Sequence, residues 1–269
     1  MNSIHEVREE ARKLLEEKRV GMVIGYGKGK GKKNYPIFIT DPQKVEELHF
    51  ESDCFYNLAV YLRKPEVCSH GKLAIVVKGC DARSVRGLFS ENQLKSEEVV
   101  MLELKCDAKG IGRDKCTTCR VKNPLTPEEK NPIDGEIAKI LAMPMEERFR
   151  FFAEEFKRCI RCYACRQICP HCFCKTCIVE KSEPQWISST PSPLGNWSWN
   201  FTRAFHLIGR CVECGECARA CPVGIRLDIL NRYLAKSVEE KYQFIAGMDE
   251  KAAPPLTTYK QNDNQDFIR

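Results

Sequence analysis

Two stretches, CIRCYACRQICP at 159–170 and CVECGECARACP at 211–222, repeat one pattern, Cys-x-x-Cys-x-x-Cys-x-x-x-Cys-Pro. This is the spacing with which thiolates hold cubane [4Fe–4S] clusters. Two intervening residues let a looping backbone present successive thiolates to neighbouring irons of one small cube. The fourth Cys, after three intervening residues, is aimed away as a helix starts, and the following Pro stops the chain from continuing the loop. Where two such runs share a domain, the fourth Cys of each serves the other cluster. Cys159, Cys162 and Cys165 therefore group with Cys221, and Cys211, Cys214 and Cys217 with Cys169. Zinc sites pair two Cys-x-x-Cys units instead of using four-cysteine runs.

Nine of the 17 cysteines lie outside these runs. Cys106, Cys116 and Cys119 follow the apolar stretch 99–104, at the carboxyl end of a strand, where α/β folds place their sites. Cys80, in VVKGCDAR, sits at the matching end of the apolar stretch 73–77. Neighbouring strand ends would bring it to the 106–119 loop as the fourth ligand of a third cluster; a packed thiol is the alternative. Cys172, Cys174 and Cys177 continue directly from the first run and lack a local fourth partner. Cys54 or Cys80 would complete a fourth cube if two domains pack together, with zinc or structural thiols as the other reading. Cys68 is left over. His171 is read as a hydrogen-bond donor to sulfur rather than a ligand.

The elements that must position these thiols fall into two groups. Residues 3–19 form an amphipathic helix with a capping-box spacing of Ser3 and Glu6. Val20–Ile24 and Tyr35–Thr40 read as strands around the loop GYGKGKGKK, and Asp41-Pro42 opens a short helix. Helical 55–63, strand 73–77, helix 81–94 and strand 99–104 complete a βαβ succession, which implies a small α/β domain with parallel pairing. The Pro-rich stretch 122–132 begins a helical linker, with Thr126-Pro127 capping a helix to 142 and a second helix over 145–158. After the first run comes a long loop over 181–200, then a short helix near 201–209 and a helix at 226–242. The step of 42 positions between Cys169 and Cys211 is roomier than a compact β-type ferredoxin needs, so an α-helical dicluster fold fits. The expected organisation is α/β over 1–121, helical linker over 122–158, α-helical ferredoxin domain over 159–242, and an extended tail over 243–269.

Hydrophobic residues make up 43% of the chain, enough for real cores. The formal charge of +6 counts no clusters. Each oxidised cubane with four thiolates carries about −2, so three or four of them bring the protein to neutrality or slightly below. The basic balance therefore compensates for clusters and is not read as a nucleic-acid footprint. An odd cysteine count with metal-like spacing implies reduced thiols in a reducing cytosol. Neither a secretory signal nor a membrane-spanning apolar segment is expected.

The Gly/Lys loop 25–33 attracts anions but lacks the Ser or Thr and the following helix of a P-loop, so it reads as a solvated hairpin turn, with an electrostatic docking patch or part of a flavin pocket as the alternatives. Trp186, Trp197 and Trp199 are expected to pin the long loop over the clusters. No Ser/His/Asp triad or pair of catalytic carboxylates stands out, and no catalytic residue is assigned.

VVKGCDARSV followed by LELKCDAKGIGRDKCTTC resembles the iron–sulfur/flavin beta-subunit family of deazaflavin-reducing hydrogenases and formate dehydrogenases. RCIRCYACRQICPHCFCKTC and GRCVECGECARACPVGI resemble the dicluster modules of heterodisulfide-reductase-type complexes. The resemblance implies an electron-transfer subunit of a multi-subunit anaerobic oxidoreductase complex, in some such complexes a flavin-bifurcating one. Its expected partners are a heterodisulfide-reductase-type flavoprotein, hydrogenase or dehydrogenase subunits, and ferredoxin. In the beta-subunit family a flavin accepts hydride near the cubane. The alternative is thus a subunit with its own FAD that reduces a nicotinamide or deazaflavin, although no residue here is assigned to a flavin.

Overall fold

A computed structural model describes residues 3–29, 34–51, 54–106, 119, 121, 135–259 and 261. Helix α1 (Ile4–Glu16) starts at Ser3, whose hydroxyl accepts the Glu6 N–H, and buries Val7, Ala11, Leu14 and Leu15 along one face. Strands β1 (Met22–Lys28) and β2 (Asn34–Ile39) pair antiparallel, with Val23 opposite Ile39 and Lys28 opposite Asn34. Strands β3 (Leu73–Val77) and β4 (Val99–Glu103) add parallel to β1, giving the order β2-β1-β3-β4. β3 is buried along its whole length, as the uninterrupted apolar run LAIVV requires of a central parallel strand. Helix α1 covers one face of the sheet over Val23, Ala74, Val76 and Leu102. The other face, with Ile24, Ile75 and Val77, is covered by Leu58, Leu62, Ala82 and Val85. Helix α2 (Pro65–Cys68) is a single turn at the edge, and helix α3 (Gly79–Ser90) carries Ala82 and Val85.

The second group is helical: α4 (Gly135–Ala142), α5 (Met145–Lys157), α6 (Ala164–Gln167), α7 (Pro193–His206), α8 (Glu216–Arg219) and α9 (Leu227–Tyr242). Ile137, Ile140, Phe152 and Phe156 share one core with Cys165, Trp199, Cys217, Ile225 and Leu230. The segment expected as a linker therefore contributes, through α4 and α5, to the core around the two cysteine runs. The start of the expected helix at Thr126-Pro127 lies outside the described residues.

Three expectations change. The expected loop 181–200 ends at Pro193, where α7 begins: Ser192 accepts the Gly195 N–H and Pro193 occupies the first turn, a start signal hidden among loop-like residues. The helix expected over 55–63 shrinks to a 3₁₀ turn, Leu58–Tyr61, because Asn57 caps Ala59. The tail is tied down at its start: a Cβ on Gly247 would meet the Arg83 carbonyl at 2.0 Å, and one on Gly209 would lie 3.7 Å from Pro255.

Helix α3 joins the two groups. Arg83, almost fully buried, donates from Nε to the Ala246 carbonyl at 3.1 Å and pairs with Glu213 at 3.4 Å. Glu91 at its end pairs with Arg210 at 2.9 Å. Arg63 donates to the Phe173 carbonyl at 3.0 Å, and both Arg63 and Arg210 lie over the Phe173 ring. Among the described residues no helix is long and apolar enough to cross a membrane. Replacing Arg83 with Ala would leave Glu213 and the Ala246 carbonyl without their donor. It is expected to cost about 2–4 kcal/mol, read as a lowered Tm of the anaerobically prepared protein.

Candidate iron–sulfur centres

The two runs are one local structure used twice. Arg161 and Tyr163 in the first, and Glu213 and Gly215 in the second, all take left-handed backbone angles with φ between 58° and 70°. These positions flank the second Cys of each run, so the backbone turns on either side of it and the thiols face a common centre. A left-handed non-glycine residue costs on the order of 1–2 kcal/mol and persists only where its surroundings impose it. Arg161 shows how. Its buried guanidinium donates to the carbonyls of Gly195 at 2.6 Å and Ser188 at 2.5 Å and lies over the rings of Tyr163 and Trp199. The third Cys of each run, Cys165 or Cys217, then sits buried in the short helix α6 or α8.

One cavity is lined by Cys169, Cys211, Cys214 and Cys217, with His171, Arg203, Asp228 and Asn231 around them. These four thiols are the group the exchanged fourth cysteine requires. Cys165 interacts with Cys159 and Cys162, and Cys221 packs on the same core as Cys159 and Cys165. Backbone and side-chain N–H groups point at the sulfurs: Glu213 to Cys211 at 3.4 Å, Ile225 to Cys221 at 3.4 Å and the Asn231 amide to Cys217 at 3.5 Å. No disulfide joins the described cysteines. Burial pushes the Cys165 thiol up to about 11 and the Cys217 thiol to about 12, so ligation must displace their protons. Among the described residues no three Cys, His, Asp or Glu side chains converge as closely as one ion needs; the four thiolates of a cubane stand on four separate irons.

Residues 154–225 match the family of 4Fe-4S dicluster domains. They hold two [4Fe–4S] clusters. The chain is an iron–sulfur electron-transfer protein. It is 34% identical over 102 residues to the F420-dependent formate dehydrogenase subunit beta of Methanocaldococcus jannaschii, a match covering 38% of this chain and 26% of that one. It is 29% identical over 115 residues to the F420-dependent formate dehydrogenase 1 subunit beta of Methanococcus maripaludis, covering 42% and 29% respectively. The chain thus matches less than a third of the length of these curated relatives.

The dicluster domain adjoins two further thiol groups. In the first, Cys80 opens helix α3, and Cys80 and Cys119 both bear on Cys106, whose sulfur accepts the Gly79 N–H. Burial, together with Cys80, pushes the Cys106 thiol up to about 12. Cys116 lies outside the described residues. Gly79 has no room for a side chain, since a Cβ would meet the Val121 carbonyl at 1.4 Å, and this contact lays the chain next to Cys119 across the start of α3. Beneath them Lys78 is fully buried, its ammonium 2.6 Å from the Tyr56 carbonyl and 2.7 Å from Asp81. Desolvation opposes its charge, but Asp81, Cys80 and Tyr26 outweigh it, so it stays protonated.

In the second group, Cys172, Cys174 and Cys177 line one cavity with Arg166, Arg203 and Arg210. The structure does not bring Cys54 there: it is buried in the sheet core, where Asn34 and the Glu51 N–H each donate to its sulfur at 3.4 Å. Cys68 donates to the Leu62 carbonyl at 3.1 Å. His171, buried between this cavity and the one beside it, has no hydrogen-bond partner for either ring nitrogen among the described residues, and burial with Arg83 and Arg210 pushes it down to about 3. The expected hydrogen bond from His171 to sulfur is made by its backbone N–H, to Cys169, and not by the ring. Trp199 is buried against Tyr163 and Trp197 stacks on Phe201, both on α7, while Trp186 is exposed. The tryptophans thus pack on and around a helix rather than jointly pinning a loop.

Sequence reasoning missed α7 as the scaffold of the first run. From it Asn196 donates to the Cys159 carbonyl at 2.7 Å and Arg203 to the Cys165 carbonyl at 2.9 Å. Arg203 is nearly fully buried, lines both cavities and faces Cys172, Cys165, Cys217 and Cys169, whose charge outweighs the burial that opposes its own. A buried cation favours the more negative, reduced cluster. Arg203→Met is expected to lower the reduction potential of at least one dicluster centre by on the order of 100 mV at an effective dielectric of about 20. EPR-monitored potentiometry at unchanged iron content checks this.

Proposed function

We propose that this chain relays single electrons between a catalytic subunit and a flavin-containing or hydrogenase-like subunit of an anaerobic oxidoreductase complex. Supporting this are the dicluster domain, the similarity to formate dehydrogenase beta subunits, and thiol groups beyond the dicluster that adjoin it. The observation that carries the reading is the convergence of Cys169, Cys211, Cys214 and Cys217 on one cavity, two runs sharing their ligands as a dicluster requires. Bound clusters supply one-electron redox chemistry; the protein holds, spaces and insulates them.

In this reading Cys80, Cys106, Cys116 and Cys119 hold a third cluster and Cys172, Cys174 and Cys177 anchor a fourth. The residues fit such groups: Cys106, whose sulfur receives the Gly79 N–H, lies beside buried Lys78, and Cys172, Cys174 and Cys177 line one cavity with buried Arg203. Helix α3 carries Cys80 at its start and packs against the dicluster domain through Arg83 and Glu91, so the third site lies on a continuous packed path to the other two. Partners in this proposal are dehydrogenase, hydrogenase or heterodisulfide-reductase-type subunits, and ferredoxin.

Two measurements test it. Anaerobically reconstituted protein is expected to bind at least about eight irons with matching sulfide; fewer would remove the dicluster itself. Cys116→Ser with Cys119→Ser is expected to delete one EPR-active centre, about four irons, and to leave the dicluster signal intact. Transfer across the complex would then fall sharply while dye-linked half-reactions persist. Copurifying FAD reducible by a soluble hydride donor would instead favour the flavin-dependent reading.

A further inference from the structure

Of the 17 cysteines, eight belong to the paired runs and four to the Cys80–Cys119 group, while Cys54 and Cys68 sit apart with the hydrogen bonds given above. Cys172, Cys174 and Cys177 remain, and they line a single cavity. The described residues lining it include no fourth cysteine and no carboxylate. Three guanidiniums share its wall. Arg166 is paired with Glu180, Arg210 with Glu91, and Arg203 bonds the Cys165 carbonyl while its Nε has no partner among the described residues. His171 is 4% exposed with both ring nitrogens unsatisfied. The cavity is not sealed, because Cys174 and His206 on its wall are exposed.

Resting on the four-cluster reading above, we infer that Cys172, Cys174 and Cys177 form a three-thiolate cluster site, and that its Arg-lined cavity receives a small external anion in place of a fourth cysteine. Three thiolates leave one iron of a cubane without a protein sulfur. A compact anion entering from the open side would meet Arg166 and Arg210, whose planar donors suit carboxylates and similar oxyanions as well as thiolates. The site is thus a binding site as well as a relay station, selecting for anionic over neutral donors.

The test uses the full chain, reconstituted anaerobically, with ¹³C-labelled cyanide as the probe. About sixteen irons are expected, dropping by about four in the Cys174→Ser, Cys177→Ser double variant. In the wild type, brief ferricyanide oxidation is expected to convert one cluster to a [3Fe–4S] form seen by EPR, since the iron without a protein ligand is lost first. Cyanide should add a ¹³C hyperfine coupling to one reduced cluster, absent in the double variant. Arg210→Gln should weaken cyanide binding about tenfold with the iron content unchanged, as expected for removal of one charged donor. Full iron without the [3Fe–4S] form or the ¹³C coupling overturns the inference and leaves the four-cluster reading standing. A ¹⁴N coupling lost in His171→Ala would overturn it too, by naming the imidazole as the fourth ligand. About twelve irons in the wild type would mean that the fourth cluster is not there, and both the reading and the inference would fall.

Discussion

Concentrating sulfur ligands in a protein interior is an electrostatic problem before it is a redox one. Each thiolate set and its irons leave a net negative charge that burial penalises, and an unpaired buried charge costs several kcal/mol. The chain answers with cations placed inside rather than on the surface. Arg203 lies among thiols of both runs and of the adjoining group; Lys78 sits under Cys80 and Cys106; Arg161 holds the first run in its left-handed turn. Arg203 is a counter-ion among several thiols, Lys78 is paired with Asp81 beside Cys80, and Arg161 is satisfied by the carbonyls of Gly195 and Ser188.

That constraint also shapes the backbone. N–H groups aimed at Cys106, Cys211 and Cys221 come from residues close to a cysteine in sequence, so the ligand loops partly solvate their own cargo. The side-chain donors come from further away: Asn231 from α9 and Arg203 from α7. Helix α7 therefore acts as a clamp. It is amphipathic in a particular sense, with Asn196 and Arg203 bonded to the cysteine loop and Trp197, Phe201 and Phe205 packed along another side.

What could be read from the sequence depended on whether a signal was local. The strand Leu73–Val77 and the helix Met145–Lys157 were legible because their apolar patterns are continuous or periodic over their own length. The two runs were legible because ligand spacing is a local property. Helix α7 was not, since Pro, Ser, Gly and Asn at its start carry turn propensity that tertiary packing overrides; Gly195 is held 2.7 Å, as measured from its would-be Cβ, from the Thr190 carbonyl. The buried Lys78 was equally invisible. A lysine after an apolar strand reads as a surface residue, and two of its partners, Tyr26 and Tyr56, lie 52 and 22 positions away. The distribution of the outlying cysteines fell between these cases. Cys80 next to Cys106 followed from strand order, whereas the burial of Cys54 against Asn34 depends on a hairpin whose side chains no spacing rule reports.

The meeting of the two halves follows from small residues at close approach. Gly87 on α3 admits the imidazole of His171, whose Cε1 would lie 2.8 Å from a Cβ there, and Gly247 admits the Arg83 carbonyl. Any larger residue at either position would push α3 off the dicluster domain. His171 stands two residues after Cys169 and immediately before Cys172, so the same contact that seats α3 also fixes the chain between two thiol groups. Cys169 and Cys172 interact across that short segment, through a side-chain hydrogen bond that raises the Cys169 thiol and lowers the Cys172 thiol. Two thiol groups that share a four-residue stretch of chain cannot move independently. Packing at Gly87 therefore bears on their separation.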